Sequence, residues 1–173
     1  RLGLTDCLLY SRGCFKTTWD GEWATTRAVD PRRVHGDVSC RRVKDMRYLF
    51  EVTLLPLETV EARVRRRTGG YKLPSGMNLD AVRATHAPAW LVQESTSQTS
   101  DIYREIRQAQ EWVLVYEFYN LHPDPSRRRV QHWAPDISPD APLADTPLTF
   151  LPYTHLTLNF NGTDWRGLSE LLL

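Results

Sequence analysis

Breaker residues recur so often along this chain that no long uninterrupted element fits between them. Asp30-Pro31, Gly69-Gly70, Pro74-Ser75-Gly76 and Asn161-Gly162 punctuate it, and Pro123, Pro125, Pro135, Pro139, Pro142 and Pro147 fall within 25 residues of one another. Proline removes a backbone donor and fixes φ, while glycine and asparagine supply turn conformations. Between these signals lie short runs rich in β-branched and aromatic residues, as strands require. Many short strands separated by turns favour an antiparallel barrel or sandwich over an α/β fold.

Taken in order, "CLLY" near the start predicts a short helix within residues 1 to 18. A strand-like run then leads from the Asp30-Pro31 breaker to Val43. Residues Tyr48 to Leu57, with the alternation Val60, Ala62, Val64, predict two strands broken near Pro56. The stretch "TGGYKLPSGMNLDAVRATHAP" reads as a turn-rich insertion with a short helical turn at Asn78 to Arg83, and "AWLVQESTSQTS" as a strand entering a polar loop. "VLVYEFYNL" is the clearest strand in the chain. Ile102 to Gln108 and Trp112 to Leu121 pair as one hairpin, although a helix capped at Ser100 or Asp101 fits the first part as well. The proline-rich segment from His122 to Leu148 reads as a long surface excursion. Leu156, Leu158 and Phe160 alternate before the Asn161-Gly162 turn, which predicts a closing hairpin whose second strand begins near Trp165.

A length of 173 residues suits one domain with one core. The formal charge of +1 gives no general attraction to nucleic acid or acidic lipid, and clusters such as Arg65 to Arg67 and Arg127 to Arg129 read as solvated loop or strand ends. No apolar run approaches the roughly 18 residues of a spanning helix, so no transmembrane segment is predicted. Cys7, Cys14 and Cys40 lack paired metal-ligand spacing and allow at most one internal disulfide; reduced structural thiols are expected, as in a cytosol or stroma. The five histidines show no i, i+4 pair, which argues against a metal site, and no Gly-x-Ser-x-Gly elbow marks a hydrolase. The chain opens at Arg1 without methionine; a cleaved targeting peptide is one origin of such an opening. Asn161-Gly162-Thr163 is a glycosylation sequon only in a secreted protein, and as a turn it needs no such role. Gly21 and Trp23 fit the short Gly-x-Trp signature of lipocalins, and a core tryptophan beside a tight turn explains them equally well.

Four segments in order carry a more specific likeness. "GEWATTRAVDPRRVHGDVSCRRV", "WLVQESTSQTSDIYREIRQ", "YEFYNLHPDPSRR" and "ISPDAPLADTPLTFLPYTHLTLNFNGTDWRG" resemble successive segments of the T-type phycobiliprotein lyases, the CpcT/CpeT chromophore lyase family. The resemblance spans about residues 19 to 167 and makes residues 45 to 85 an insertion. It implies a mainly β fold, a lipocalin-like (calycin-like) antiparallel β-barrel with a short N-terminal helix, open or incomplete at its C-terminal end.

The same resemblance implies a function. That family attaches a linear tetrapyrrole, a bilin such as phycocyanobilin or phycoerythrobilin, to a cysteine of a phycobiliprotein subunit through a thioether. The bilin is the ligand, and no intrinsic cofactor is expected. Arg104 would hold a propionate and Glu94 the pyrrole nitrogens, with Tyr103 and Trp90 as aromatic walls. Tyr116 and Tyr119 offer two more aromatics, but three apart on a strand they face opposite sides, so one of them lines the interior. The chain departs from the family at Ile106, where a second arginine is usual, at Gln93-Glu94, which reverses the usual order, and at Pro152-Tyr153-Thr154, which lacks a glycine and a cysteine. Those losses favour an alternative reading, a non-catalytic accessory subunit of a photosystem or light-harvesting complex. Either reading implies a chloroplast stroma or thylakoid surface, or a cyanobacterial cytoplasm. A lipocalin-like carrier of another apolar ligand is a third.

Overall fold

The structure, a computed structural model, describes residues 2–19, 21–65, 71, 112–157 and 165. It is mainly β. Helix α1 (Leu2–Tyr10) is followed by strands β1 (Arg12–Trp19), β2 (Ala24–Val29), β3 (Val34–Gly36) and β4 (Tyr48–Pro56), then helix α2 (Leu57–Arg65). Strands β5 (Trp112–Asn120), β6 (Arg129–Trp133), β7 (Ala144–Pro147) and β8 (Tyr153–Thr157) complete the order. They form two antiparallel sheets, one of three strands ordered β2-β1-β8 and one of five ordered β3-β4-β5-β6-β7. Among the described residues neither sheet closes into a barrel.

The residues group into two compact units, with β4 and β5 contributing to both. The first holds residues 1–51, 118–129 and 147–173. In it, α1 runs into β1 through Ser11, whose φ of 66° is the left-handed conformation that commonly ends a helix. Strands β1 and β2 pair from Cys14↔Val29 to Trp19↔Ala24, and β1 also pairs with β8 from Arg12↔Thr157 to Lys16↔Tyr153. Gly21, at φ 111°, turns the β1–β2 hairpin in a conformation that costs glycine little. The Asp30-Pro31 breaker becomes a 3-10 turn: the Asp30 carboxylate accepts from the Arg32 backbone N–H at 2.9 Å, and Pro31 sits where no amide proton is needed. Asp124 and Pro125 repeat the device, with Ser126 N–H at 3.0 Å from the carboxylate.

The second unit holds residues 52–117 and 130–146. Its core joins Leu57 and Val60 of α2 to Val113 and Val115 of β5 and to Ala134, Ile137 and Leu143 beyond β6. On β5 the buried residues are Val113, Val115 and Tyr119, so its odd-numbered positions face inward.

Several sequence expectations change here. Leu57–Arg65 is a helix, not a second strand; Leu57, Val60 and Val64 lie three and four apart, and this helical spacing overrides the alternation Val60, Ala62, Val64. The run ahead of Val43 is strand only at Val34–Gly36. Arg12–Trp19, assigned no strand from the sequence, is the central strand of its sheet. The proline-rich segment is not a surface excursion: it contains β6 and β7 and buries Ala134, Ile137, Ser138 and Leu143. Its prolines fall between those strands, or at Pro147, which ends β7 at the edge of the sheet. On β8 the better-buried positions are Tyr153, His155 and Thr157, whereas Leu156 is 39% exposed, so the alternation expected from Leu156 runs on the opposite face. Trp23 is 72% exposed, which removes both the core-tryptophan reading and the packed tryptophan of a lipocalin signature.

"VLVYEFYNL" is strand as expected, and so is a short helix containing "CLLY". The strand at Ile102 to Gln108, the helical turn at Asn78 to Arg83, the strand at "AWLVQ" and the Asn161-Gly162 turn lie outside the described residues.

Candidate functional site

The first unit places a polar row where a strand pattern would put aliphatic side chains. Arg12, Cys14 and Lys16 alternate along β1, and at each position the paired strands add cross-strand neighbours: Thr157 beside Arg12, Val29 and His155 beside Cys14, Arg27 and Tyr153 beside Lys16.

Three of these side chains converge on Glu51 of β4, which is 1% exposed. Lys16 Nζ lies 2.9 Å from Glu51 Oε2, Arg27 Nη2 donates to Oε1 at 3.1 Å, and the Tyr153 hydroxyl donates to Oε2. The Lys16 ammonium also lies 5.2 Å from the Tyr153 ring centre and 6.0 Å from that of Tyr119, and the two rings meet edge to face at 5.4 Å. Burial pushes the Glu51 carboxyl up, but the Lys16 charge, the bonds from Tyr153 and Lys16, and the Arg27 charge outweigh it. The group therefore sits below the ordinary glutamate value and is ionised at neutral pH. A buried carboxylate with one buried and one half-exposed cation is fully paired, and this arrangement fixes the sheet register more than it offers a reactive group.

A second cluster lies two residues along β1. Cys14 Sγ is 3.3 Å from His155 Nδ1, the His155 and Trp165 rings meet edge to face at 5.3 Å, and the Arg12 guanidinium lies 4.8 Å over the Trp165 ring. Arg12 also donates to the Pro31 and Val34 carbonyls, which ties β1 to the 3-10 turn. Burial pushes the Cys14 thiol up to about 12 and lowers His155 to about 4, the latter helped by the Arg12 charge. Both groups are therefore neutral near pH 7, and Cys14 is not a nucleophilic thiolate. The buried His155 Nε2 and Trp165 Nε1 have no hydrogen-bond partner.

A cavity of about 450 Å³ opens beside these groups. Val43, Met46, Leu121 and Leu151 form its apolar wall; Lys44, Arg128, Tyr153, Thr154 and His155 supply its polar groups, and none of its lining residues is acidic. Its volume lies in the range typical of small-molecule sites, roughly 300–1,000 Å³.

Other polar clusters are accounted for by structure. The Asp37 carboxylate accepts from Arg47 Nε at 2.7 Å and from Ser39 N–H at 3.0 Å, contacts that hold it well below the usual carboxylate range and pin the loop after β3. In the second unit, Arg63 donates to the Tyr71 hydroxyl at 3.0 Å, and Tyr71 packs 5.2 Å from His132. Cys7, Cys14 and Cys40 form no disulfide. Among the described residues no group of three or more His, Cys, Asp or Glu side chains is placed to hold a metal, and no helix is long and apolar enough to cross a membrane.

Of the residues singled out from the sequence, Trp90, Glu94, Tyr103 and Arg104 lie outside the described residues. Tyr119 is buried against Tyr153, while Tyr116 is half-buried on the other face of β5. Lys16, Glu51, Cys14 and His155 were not anticipated. Their one sequence signal is the alternation Arg12, Cys14, Lys16, a polar face that ordinarily marks solvent. Tyr153 was noted only for the glycine and cysteine missing around it, yet it touches both the ion pair and the cavity. No family model matches the chain, and no curated protein matches it.

Proposed function

We propose that this chain is a ligand-binding β-protein of the bilin-lyase type, which holds a linear tetrapyrrole in a lipocalin-like barrel and assists its thioether attachment to a phycobiliprotein cysteine. The observation that carries the reading is the character of the inward face of β1 and β8. Arg12, Cys14, Lys16, Tyr153 and His155 line it, with Tyr119 opposite Tyr153, in place of the aliphatic residues that a purely structural core would use. Cations beside aromatic rings suit a flat apolar ligand that carries carboxylates. In this reading Arg104 and Glu94 contact the bilin while Tyr103, Trp90 and Tyr119 wall it. The acceptor subunit supplies the thiol, so the protein orients and shields the chromophore. A plastid stroma, a thylakoid surface or a cyanobacterial cytoplasm is its expected setting.

The test is titration of the purified chain with phycocyanobilin and with phycoerythrobilin, read by absorbance. Saturable binding with a red-shifted, sharpened band is expected, followed by transfer to an apo-phycobiliprotein that Arg104→Ala abolishes. A folded chain that binds neither bilin overturns the reading.

A second reading, a non-catalytic accessory subunit of a pigment-protein complex, is favoured by a separate observation. Trp19 and Trp23 flank the β1–β2 turn at 66% and 72% exposure, and Phe150 is 63% exposed, aromatic surface of the kind that interfaces use. Under this reading the chain co-purifies with a large photosynthetic complex and Trp19→Ser/Trp23→Ser releases it; retention of the double variant removes the turn as the contact.

A further inference from the structure

The cavity beside His155 has a chemical polarity that its residues define closely. His155 Nδ1 faces the Cys14 thiol at 3.3 Å. A thiol is a weak donor but a still weaker acceptor, so the stable pairing has S–H directed at Nδ1, which leaves the imidazole proton on Nε2. Nε2 is buried and has no partner. With Nδ1 turned to the thiol, this second ring nitrogen is the one left to the cavity that His155 lines. A buried N–H without an acceptor is costly, and such a group points to an acceptor that completes it.

The neighbouring polar groups have the same sign. Arg128 is anchored through its Nε, which donates to the His122 carbonyl at 2.9 Å, and its Nη groups make no hydrogen bond to the protein. Lys44 adds a second cation to the lining. Opposite them, Val43, Met46 and Leu151 are apolar. The cavity thus offers charged and neutral donors at one side, hydrocarbon at the other and no acidic side chain.

We propose that this cavity binds an amphiphilic carboxylate, with the carboxylate on His155 Nε2–H and Arg128, Lys44 adding charge, and the apolar body against Val43, Met46 and Leu151. Cys14 is a positioning residue: its proton sets the tautomer that makes His155 a donor. The site stands on the cavity alone and holds whether or not the chain takes a bilin.

Octanoate and 1-octanol, which share a chain but differ in charge, separate the two sides of the cavity. Isothermal titration of the whole chain is expected to show saturable binding of octanoate, with 1-octanol about tenfold weaker or more, because the alcohol forgoes charge-assisted bonds. His155→Phe and Arg128→Met should each weaken octanoate about tenfold and leave 1-octanol unchanged, while His155→Gln, which keeps a donor, retains most of the affinity. Should His155→Phe lose its native circular dichroism, Arg128→Met carries the test. Absence of saturable octanoate binding, equal affinity for the alcohol, or wild-type affinity in a folded Arg128→Met or His155→Phe overturns the proposal.

Discussion

Glu51→Gln keeps the side chain's shape and removes its charge. Lys16, whose side chain is 6% exposed, would then face an amide and two tyrosine rings instead of a carboxylate at 2.9 Å. Breaking a buried pair by neutralising one partner costs about 3–5 kcal/mol, chiefly because the other charge stays buried. Against a typical domain stability of about 5–15 kcal/mol this is a large share. The three partners should not be equivalent. Lys16→Met leaves the carboxylate with Arg27 and the Tyr153 hydroxyl, so a smaller cost is expected, about 1–3 kcal/mol. Arg27 is 55% exposed, and Arg27→Met should cost no more than about 1 kcal/mol. The double variant Lys16→Met/Glu51→Leu, which removes both buried charges, should return to within about 1 kcal/mol of wild type. Urea unfolding followed by far-UV circular dichroism measures all four. If Glu51→Gln costs no more than Arg27→Met, or if the double variant equals the sum of its single changes, the Lys16–Glu51 pair does not hold the sheets in the way described.

Acid should act through two groups in the same direction. Glu51 is held below its ordinary value of 4.5, so its contribution is present above that pH and is lost as pH falls through the folded value. His155 is lowered from 6.5 to about 4, so the unfolded chain binds the extra proton across that window and stability falls as pH drops from 6.5 to 4. His155→Gln should flatten the stability profile in that range, as read by thermal melts at half-unit pH steps; an unchanged slope would refute the assignment. Thiol titration with Ellman's reagent at pH 8 should detect one readily reactive group, the half-buried Cys40, and all three in urea, since Cys7 and Cys14 are fully buried; fast native reaction of three thiols contradicts their burial. A Cβ at Gly36 would lie 3.0 Å from Met46 Sδ and Cε and from Trp165 Cζ2, so Gly36→Ala should destabilise by about 1–3 kcal/mol of overpacking. Smaller loss in a Met46→Ala background would confirm the clash, and equal loss in both backgrounds would place the cost elsewhere.

The sequence by itself determined the class of fold. Breakers at Asp30-Pro31 and Asp124-Pro125 were legible because capping is local: an aspartate carboxylate reaches an amide two residues on. "VLVYEFYNL" was legible as strand because β-branched and aromatic residues fit a pleated surface regardless of partner. The geometric separation of Tyr116 from Tyr119 followed from the two-residue period alone. Leu57–Arg65 was also encoded locally, in its three- and four-residue spacing, but a competing alternation over the same residues hid it.

The tertiary structure alone decided what the strands face. Lys16 and Glu51 are 35 positions apart, Arg27 and Glu51 are 24 apart, and Tyr153 and Glu51 are 102 apart, so no local pattern links them. Periodicity tells which residues share a face of a strand. It does not tell whether that face meets solvent or another sheet, because that choice depends on which distant strands pair and in what register. A polar row such as Arg12, Cys14 and Lys16 is assigned to water by default. It becomes interior only when the pairing of β1 with both β2 and β8 sets Arg27 and Tyr153 beside Lys16 and turns all three toward a buried carboxylate, whose charge is what makes burying a lysine tolerable.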